Sequence, residues 1–165
     1  EDVLRDREGV SIANYNCPGQ IVITGEAKAV AEAGNALKET GARRVLPLKV
    51  SGPFHSPMMR PAGEELAKVF AGVSMNPLKL PYVANINAEV VTDCGKIEGL
   101  LVAQVSGSVR WQQSVETMIR EGVDTFVEIG PGKTLTGFLR KIDRNVKAYH
   151  IGSWEEAVQV CEELK

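Results

Sequence analysis

Strand-type and helix-type apolar patterns take turns along this chain, and that alternation narrows its fold more than any other feature. β-Branched or apolar runs at residues 10–15, 20–24, 45–50, 80–84, 124–129 and 146–150 read as strands. Between them, apolar residues recur at helical spacing. Val30, Ala33 and Leu37 mark a helix over 26–40, which Gly41 stops. Met59, Ala62, Leu66 and Val69 mark another; so do Trp111, Val115, Met118 and Ile119, then Leu135, Phe138, Leu139 and Ile142, and last Trp154, Ala157, Val158 and Cys161. Residues 97–105 are apolar nearly all round and read as a buried helix. Strands interleaved with helices imply an α/β architecture with a parallel sheet.

The first 50 residues have their own order. Residues 1–6 read as the tail of a helix stopped by Gly9. Two strands follow, joined by Asn16-Cys17-Pro18-Gly19, then a helix and a third strand over 45–50. That is a ferredoxin-like order with its first strand missing. Residues 1–50 are therefore read as a small ferredoxin-like subdomain, and 51–165 as part of a larger α/β subdomain.

Composition excludes several classes of function. The 165 residues are 44% hydrophobic and 24% charged, with a formal charge of −2. Lys and Arg form no cluster beyond the pair Arg43-Arg44, so a nucleic-acid footprint is absent. No apolar run nears the roughly 20 residues of a membrane helix, and residues 1–6 lack the features of a signal peptide. Cys17, Cys94 and Cys161 are odd in number and irregular in spacing, which speaks against a disulfide framework or a zinc site and for a cytoplasmic protein with reduced thiols.

Chemistry concentrates at His55. It stands in Ser51-Gly52-Pro53-Phe54-His55-Ser56-Pro57, a loop expected at the carboxyl end of the 45–50 strand, where open α/β sheets bind ligands. An imidazole, with an unperturbed pKa of about 6.5, can take a proton from a nucleophile and return it to a leaving group. Neither Ser51 nor Ser56 has the Gly-x-Ser-x-Gly elbow of an activated serine, and no such pentapeptide occurs in the chain. Gly130-Pro131-Gly132-Lys133-Thr134 imitates a phosphate-binding loop, but Val127 stands where its first glycine is required. What remains is a strand-to-helix turn whose free amides could meet an anion. Asn14, Asn16 and Gln20 are either residues capping their own turn or the polar lining of a cleft. His150 reads as structural.

Three stretches carry a family resemblance: NYNCPGQIVITG at 14–25, LPLKVSGPFHSPMM at 46–59, and VRWQQSVETMIREGVDTFVEIGPGKTLTG at 109–137. In content, order and spacing they resemble the malonyl-CoA:acyl-carrier-protein transacylases of fatty-acid synthesis. The resemblance runs from about residue 10 to about residue 143.

The resemblance implies a large α/β-hydrolase-like subdomain with a ferredoxin-like one inserted, and a cleft between them. It implies ping-pong transfer of a malonyl group from coenzyme A to the phosphopantetheine thiol of acyl carrier protein, through a seryl acyl-enzyme. His55 matches the catalytic histidine, and Gln104 the position whose main-chain carbonyl orients it. Asn16 and Gln20 match cleft-lining residues. Phe54 resembles the malonyl-selecting choice before the histidine. No tightly bound cofactor is implied; the coenzyme A thioester is substrate, and the complete protein would be a monomer acting without nucleic acid or membrane.

The family's Gly-His-Ser-Leu-Gly elbow, its carboxylate-binding arginine and its oxyanion-hole glutamine region lie upstream of position 1 in the family and have no counterpart here. The chain is therefore expected to be the C-terminal part of such an enzyme, inactive alone. Two other readings remain: a polyketide synthase acyltransferase domain, and a non-catalytic module that docks acyl carrier protein.

Overall fold

A computed structural model describes residues 2–165. The helix tail expected over 1–6 is a single 3-10 turn, Asp2–Leu4, and Glu1 lies outside the described residues. Strands β1 (Val10–Cys17) and β2 (Gln20–Gly25) form the antiparallel hairpin. Its turn is shorter than expected, because Asn16 and Cys17 stay in the strand. Only Pro18 and Gly19 turn, and Gly19 has φ 77°, the positive φ that a proline-glycine turn of type II requires.

Helix α1 (Ala27–Glu39) follows and ends where Gly41 takes φ 99°. The strand expected over 45–50 does not form. A strand is completed by ladder hydrogen bonds, and no described residue pairs with this segment. It has no regular structure, and Leu46, Leu48 and Val50 are exposed.

After the His55 loop a 3-10 turn, Pro57–Met59, leads into α2 (Arg60–Phe70). Short strands β3 (Tyr82–Val83) and β4 (Val90–Val91) pair antiparallel around a turn in which Ala88 has φ 60°. Helix α3 (Ile97–Ser106) is not buried as expected: none of its residues is fully covered, and Leu101 is exposed. It packs mainly on α2 and also touches the 3-10 turn Pro57–Met59.

Helix α4 (Trp111–Arg120), β5 (Thr125–Ile129), α5 (Thr134–Ile142), β6 (Lys147–Ile151) and α6 (Trp154–Glu163) complete the chain. Strands β5 and β6 are parallel, joined by α5 as a crossover, and are the parallel element the alternation implied. The architecture is thus mixed α/β, with one parallel and two antiparallel two-stranded sheets among the described residues. Val115 on α4, Leu139 on α5, Ala13 and Cys17 on β1, and Ala33 on α1 are buried core residues.

Helices α2 and α3 position the site. Gly63 brings them together: a Cβ there would stand 3.2 Å from the Val102 carbonyl oxygen. The segment leaving α3 is then pinned to β1. Ser108 Oγ donates to the Ile12 carbonyl at 2.6 Å, and the Val109 amide to the Ala13 carbonyl at 2.7 Å. The Tyr15 amide returns a bond to the Val109 carbonyl at 2.9 Å. The two bonds of Val109 make an isolated parallel bridge between Asn14 and Val109, next to a register shift in the pairing of β1 with β2 between Ile12 and Asn14.

Candidate active site

His55 sits in the left-handed region, at φ 59°. Such backbone is uncommon outside glycine and needs a surrounding that holds it. Pro53 and Ser56 supply part of that hold. The buried Ser56 hydroxyl donates to the Pro53 carbonyl at 2.6 Å and accepts from the Met58 amide at 3.3 Å, capping the 3-10 turn. Ser56 is thereby committed to structure.

The ring is held from across the fold. His55 Nδ1 lies 3.1 Å from the main-chain oxygen of Gln104. A carbonyl only accepts, so Nδ1 carries the proton in this bond, and Nε2 presents its lone pair. Gln104 Nε2 is 3.5 Å from the same Nδ1, but two donors face each other there. The carboxamide instead donates to the Gly107 carbonyl at 2.9 Å, which fixes its orientation and leaves Oε1 buried without a partner among the described residues. A half-buried imidazole with a tethered Nδ1–H, and an Nε2 without a hydrogen-bond partner among the described residues, is equipped to accept a proton from a hydroxyl or thiol.

The other sequence-derived residues are spread more widely. Phe54, beside His55, is 49% exposed, and its ring flanks Gly52. Asn16 is half-buried at a second irregularity of β1, between Tyr15 and Cys17. Gln20 Oε1 accepts from Lys141 Nζ on α5 at 3.4 Å, and Cys17 Sγ lies 3.8 Å from it. No hydrogen bond among the described residues joins Asn16 or Gln20 to His55. Their link to the ring runs through β1, the 107–109 segment and Gln104.

The anion site envisaged at the start of α5 is already taken. Glu128 accepts from the Thr136 amide at 2.7 Å, the Thr136 hydroxyl at 2.6 Å and the Leu135 amide at 3.1 Å. Burial pushes the Glu128 carboxyl upward, but these bonds and nearby His150 outweigh it and hold the carboxyl below its ordinary value. His150 is structural: Nε2 donates to the Gly130 carbonyl at 2.9 Å, tying the glycine-rich turn to β6. Its Nδ1 is 3.3 Å from Glu156 Oε2. Glu156 accepts from the Gly152 amide at 2.6 Å, which with His150 and Lys133 lowers its carboxyl against a smaller opposing push from burial.

No described group of three His, Cys, Asp or Glu residues could hold a metal ion, and no described helix is long and apolar enough to cross a membrane. Sequence reasoning missed Gly107, Ser108 and Glu128. A glycine ending a helix draws no notice, and a strand glutamate reads as a solvated side chain.

The acyl transferase domain family model matches residues 1–160. The malonyl CoA-acyl carrier protein transacylase of Bacillus subtilis is 43% identical over 165 residues, covering all of this chain and 52% of that protein. The crystal structure of MCAT from Streptococcus pneumoniae superposes with a TM-score of 0.93 at 41% identity, over 99% of this chain and 54% of that one. A malonyl CoA-acyl carrier protein transacylase from Clostridium perfringens also gives 0.93, at 38% identity over 99% and 52%. The chain spans about half the length of the curated relatives it matches. With a match that takes in the His55 loop, Gln104 and the hairpin alike, the chain belongs to the acyl transferase domain family.

Proposed function

We propose that this chain carries the general base of a malonyl-CoA:acyl-carrier-protein transacylase of fatty-acid synthesis. The observation that carries the reading is the His55–Gln104 hydrogen bond, which leaves Nε2 as the free base. In the proposed cycle a serine hydroxyl attacks the malonyl thioester and gives its proton to His55 Nε2. The imidazolium returns that proton to the departing coenzyme A sulfur. The phosphopantetheine thiol of acyl carrier protein then gives its proton to Nε2 and attacks the seryl ester, and the serine leaves reprotonated. The main-chain carbonyl of Gln104 takes the orienting part that an aspartate plays in other triads.

The serine belongs, in this reading, to polypeptide outside these 165 residues. Ser56 is occupied by its cap, and no serine here stands in a nucleophile elbow. The exposed Leu46, Leu48, Val50 and Leu80 suit a surface covered by further protein. Residues 1–50 are assigned to a ferredoxin-like subdomain and 51–165 to the large α/β-hydrolase-like one. Asn16 and Gln20 line the cleft, and Phe54 favours an unbranched malonyl group. The setting proposed is the cytoplasm.

The test is transfer itself. The complete enzyme carrying this sequence is incubated with malonyl-CoA and phosphopantetheinylated carrier protein, and both proteins are weighed by mass spectrometry. A malonyl increment first on the enzyme and then on the carrier is expected, with none from residues 1–165 alone. Carrier binding without either increment would overturn the reading in favour of a docking module.

A further inference from the structure

We infer that Ser56 is a positioning residue for His55: its hydroxyl closes the turn at whose corner the imidazole is carried. This rests on the general-base reading of His55 given above. The turn runs from Pro53 to Ser56, with Phe54 and His55 at its corner. His55 has φ 59° there, a left-handed conformation that glycine adopts freely and a histidine does not. Glycine would suit the corner but would bring no base. The imidazole is therefore carried on backbone that its own side chain disfavours, and something must hold it there.

Packing does little of that holding. Of residues 51–59 only Ser56 is buried, at 1% exposure, while Phe54, Pro57 and Met58 are exposed. The Ser56 hydroxyl spans the corner with one direct bond, donating to the Pro53 carbonyl at 2.6 Å. The same oxygen accepts from the Met58 amide at 3.3 Å, and the Met59 amide donates to the Ser56 carbonyl at 2.9 Å. Those two bonds seat Ser56 on the 3-10 turn Pro57–Met59, which touches both α2 and α3. Helix α3 also presents the Gln104 carbonyl that receives His55 Nδ1–H at 3.1 Å. The root of the ring and its Nδ1 edge are thus both referred to the same pair of helices. Without the hydroxyl, the Pro53 carbonyl loses this donor and the corner is free to relax toward negative φ. The Gln104 bond fixes one atom of the ring and not the direction from which the ring arrives, so Nε2 loses its line with the nucleophile.

The experiment uses the complete enzyme carrying this sequence. Ser56→Ala is expected to lower kcat by about 10–10²-fold, the upper figure being the effect of a misplacement of about 1 Å. KM for malonyl-CoA should stay within about threefold of the parent, since the interaction removed is felt in the transition state and not in ground-state binding. Ser56→Thr keeps the donor, whereas Ser56→Val has nearly the same shape and lacks it. The threonine variant should exceed the valine variant in kcat by roughly tenfold or more, which separates the bond from the volume of a buried side chain. That pair decides the matter if Ser56→Ala does not fold.

Long-range ¹H–¹⁵N correlation of the His55 ring gives a second readout, one that a loss of stability alone does not move. The proton should sit on Nδ1 in the parent and in Ser56→Thr, and be shared between both nitrogens in Ser56→Ala and Ser56→Val. Parental kcat or a parental tautomer in a folded Ser56→Ala would overturn the proposal. So would equal kcat in the threonine and valine variants. If His55→Ala retained full activity, the general-base reading would fail instead, and the tautomer measurement would still report on Ser56.

Discussion

Gly63 of α2 faces the main-chain oxygen of Val102 on α3 so closely that a Cβ would stand 3.2 Å away, with Val105 Cβ 3.7 Å off. That approach sets the separation of the two helices that hold the His55 loop and Gln104. Packing does not tolerate inserted methylenes there, and overpacking costs about 1–3 kcal/mol. Gly63→Leu is expected to lower the urea midpoint and kcat together, because parting the helices also parts the ring from its carbonyl. Gly99 is the contrast on α3: nothing stands within 4 Å of its virtual Cβ. Gly99→Ala should raise stability by about 1 kcal/mol through helix propensity, with kcat unchanged.

Glu128 tests the capping of α5. Its folded-state carboxyl lies below its ordinary value. The linked stability is therefore present above the unfolded carboxyl range and is lost as pH falls through the lowered folded value. Glu128→Gln should cost about 1 kcal/mol at neutral pH, the usual worth of a cap. The gap between parent and variant should close on acidification. Denaturant midpoints of both proteins across the acid range check this, and a constant gap would remove the charge from the explanation.

Phe54 tests acyl choice. Its ring is half-exposed beside His55, and in the proposed function it presses on a branched acyl carbon. Packing against one methyl is a modest lever, so Phe54→Ala should raise kcat/KM for methylmalonyl-CoA relative to malonyl-CoA by about tenfold. Competition between the two thioesters, read as acyl-carrier products, measures it. An unchanged ratio would take selectivity away from this ring.

Much of the fold was legible because local chemistry and final structure agree. Pro18-Gly19 between β-branched runs makes the hairpin, and helical spacing marks α1, α2, α4, α5 and α6. The failures share a cause in partners distant along the chain. Residues 45–50 have a strand's composition but no ladder partner among the described residues. Helix α3 is apolar enough to be buried, yet it packs mainly against α2 and none of its residues is fully covered. The loop of Gly52, Pro53 and Pro57 marked the candidate base, although the 45–50 strand expected to lead into it does not form, and Gln104 entered through family resemblance. Glu128, Ser108 and Gly107 escaped notice because each matters through hydrogen bonds that its residue type does not announce: to the first turn of α5, to Ile12 and to the Gln104 carboxamide.

The most direct measurement is the rate of acyl-enzyme formation in the complete enzyme with His55 replaced by alanine. Rapid-quench mixing with malonyl-CoA, scored as malonyl bound covalently to protein, isolates the step that the proposed cycle gives to Nε2, uptake of the hydroxyl proton. A fall of about 10²–10⁴-fold, the usual share of a positioned acid–base group, is expected in a variant that unfolds like the parent. A fall of less than about tenfold in such a variant would contradict general-base catalysis at His55.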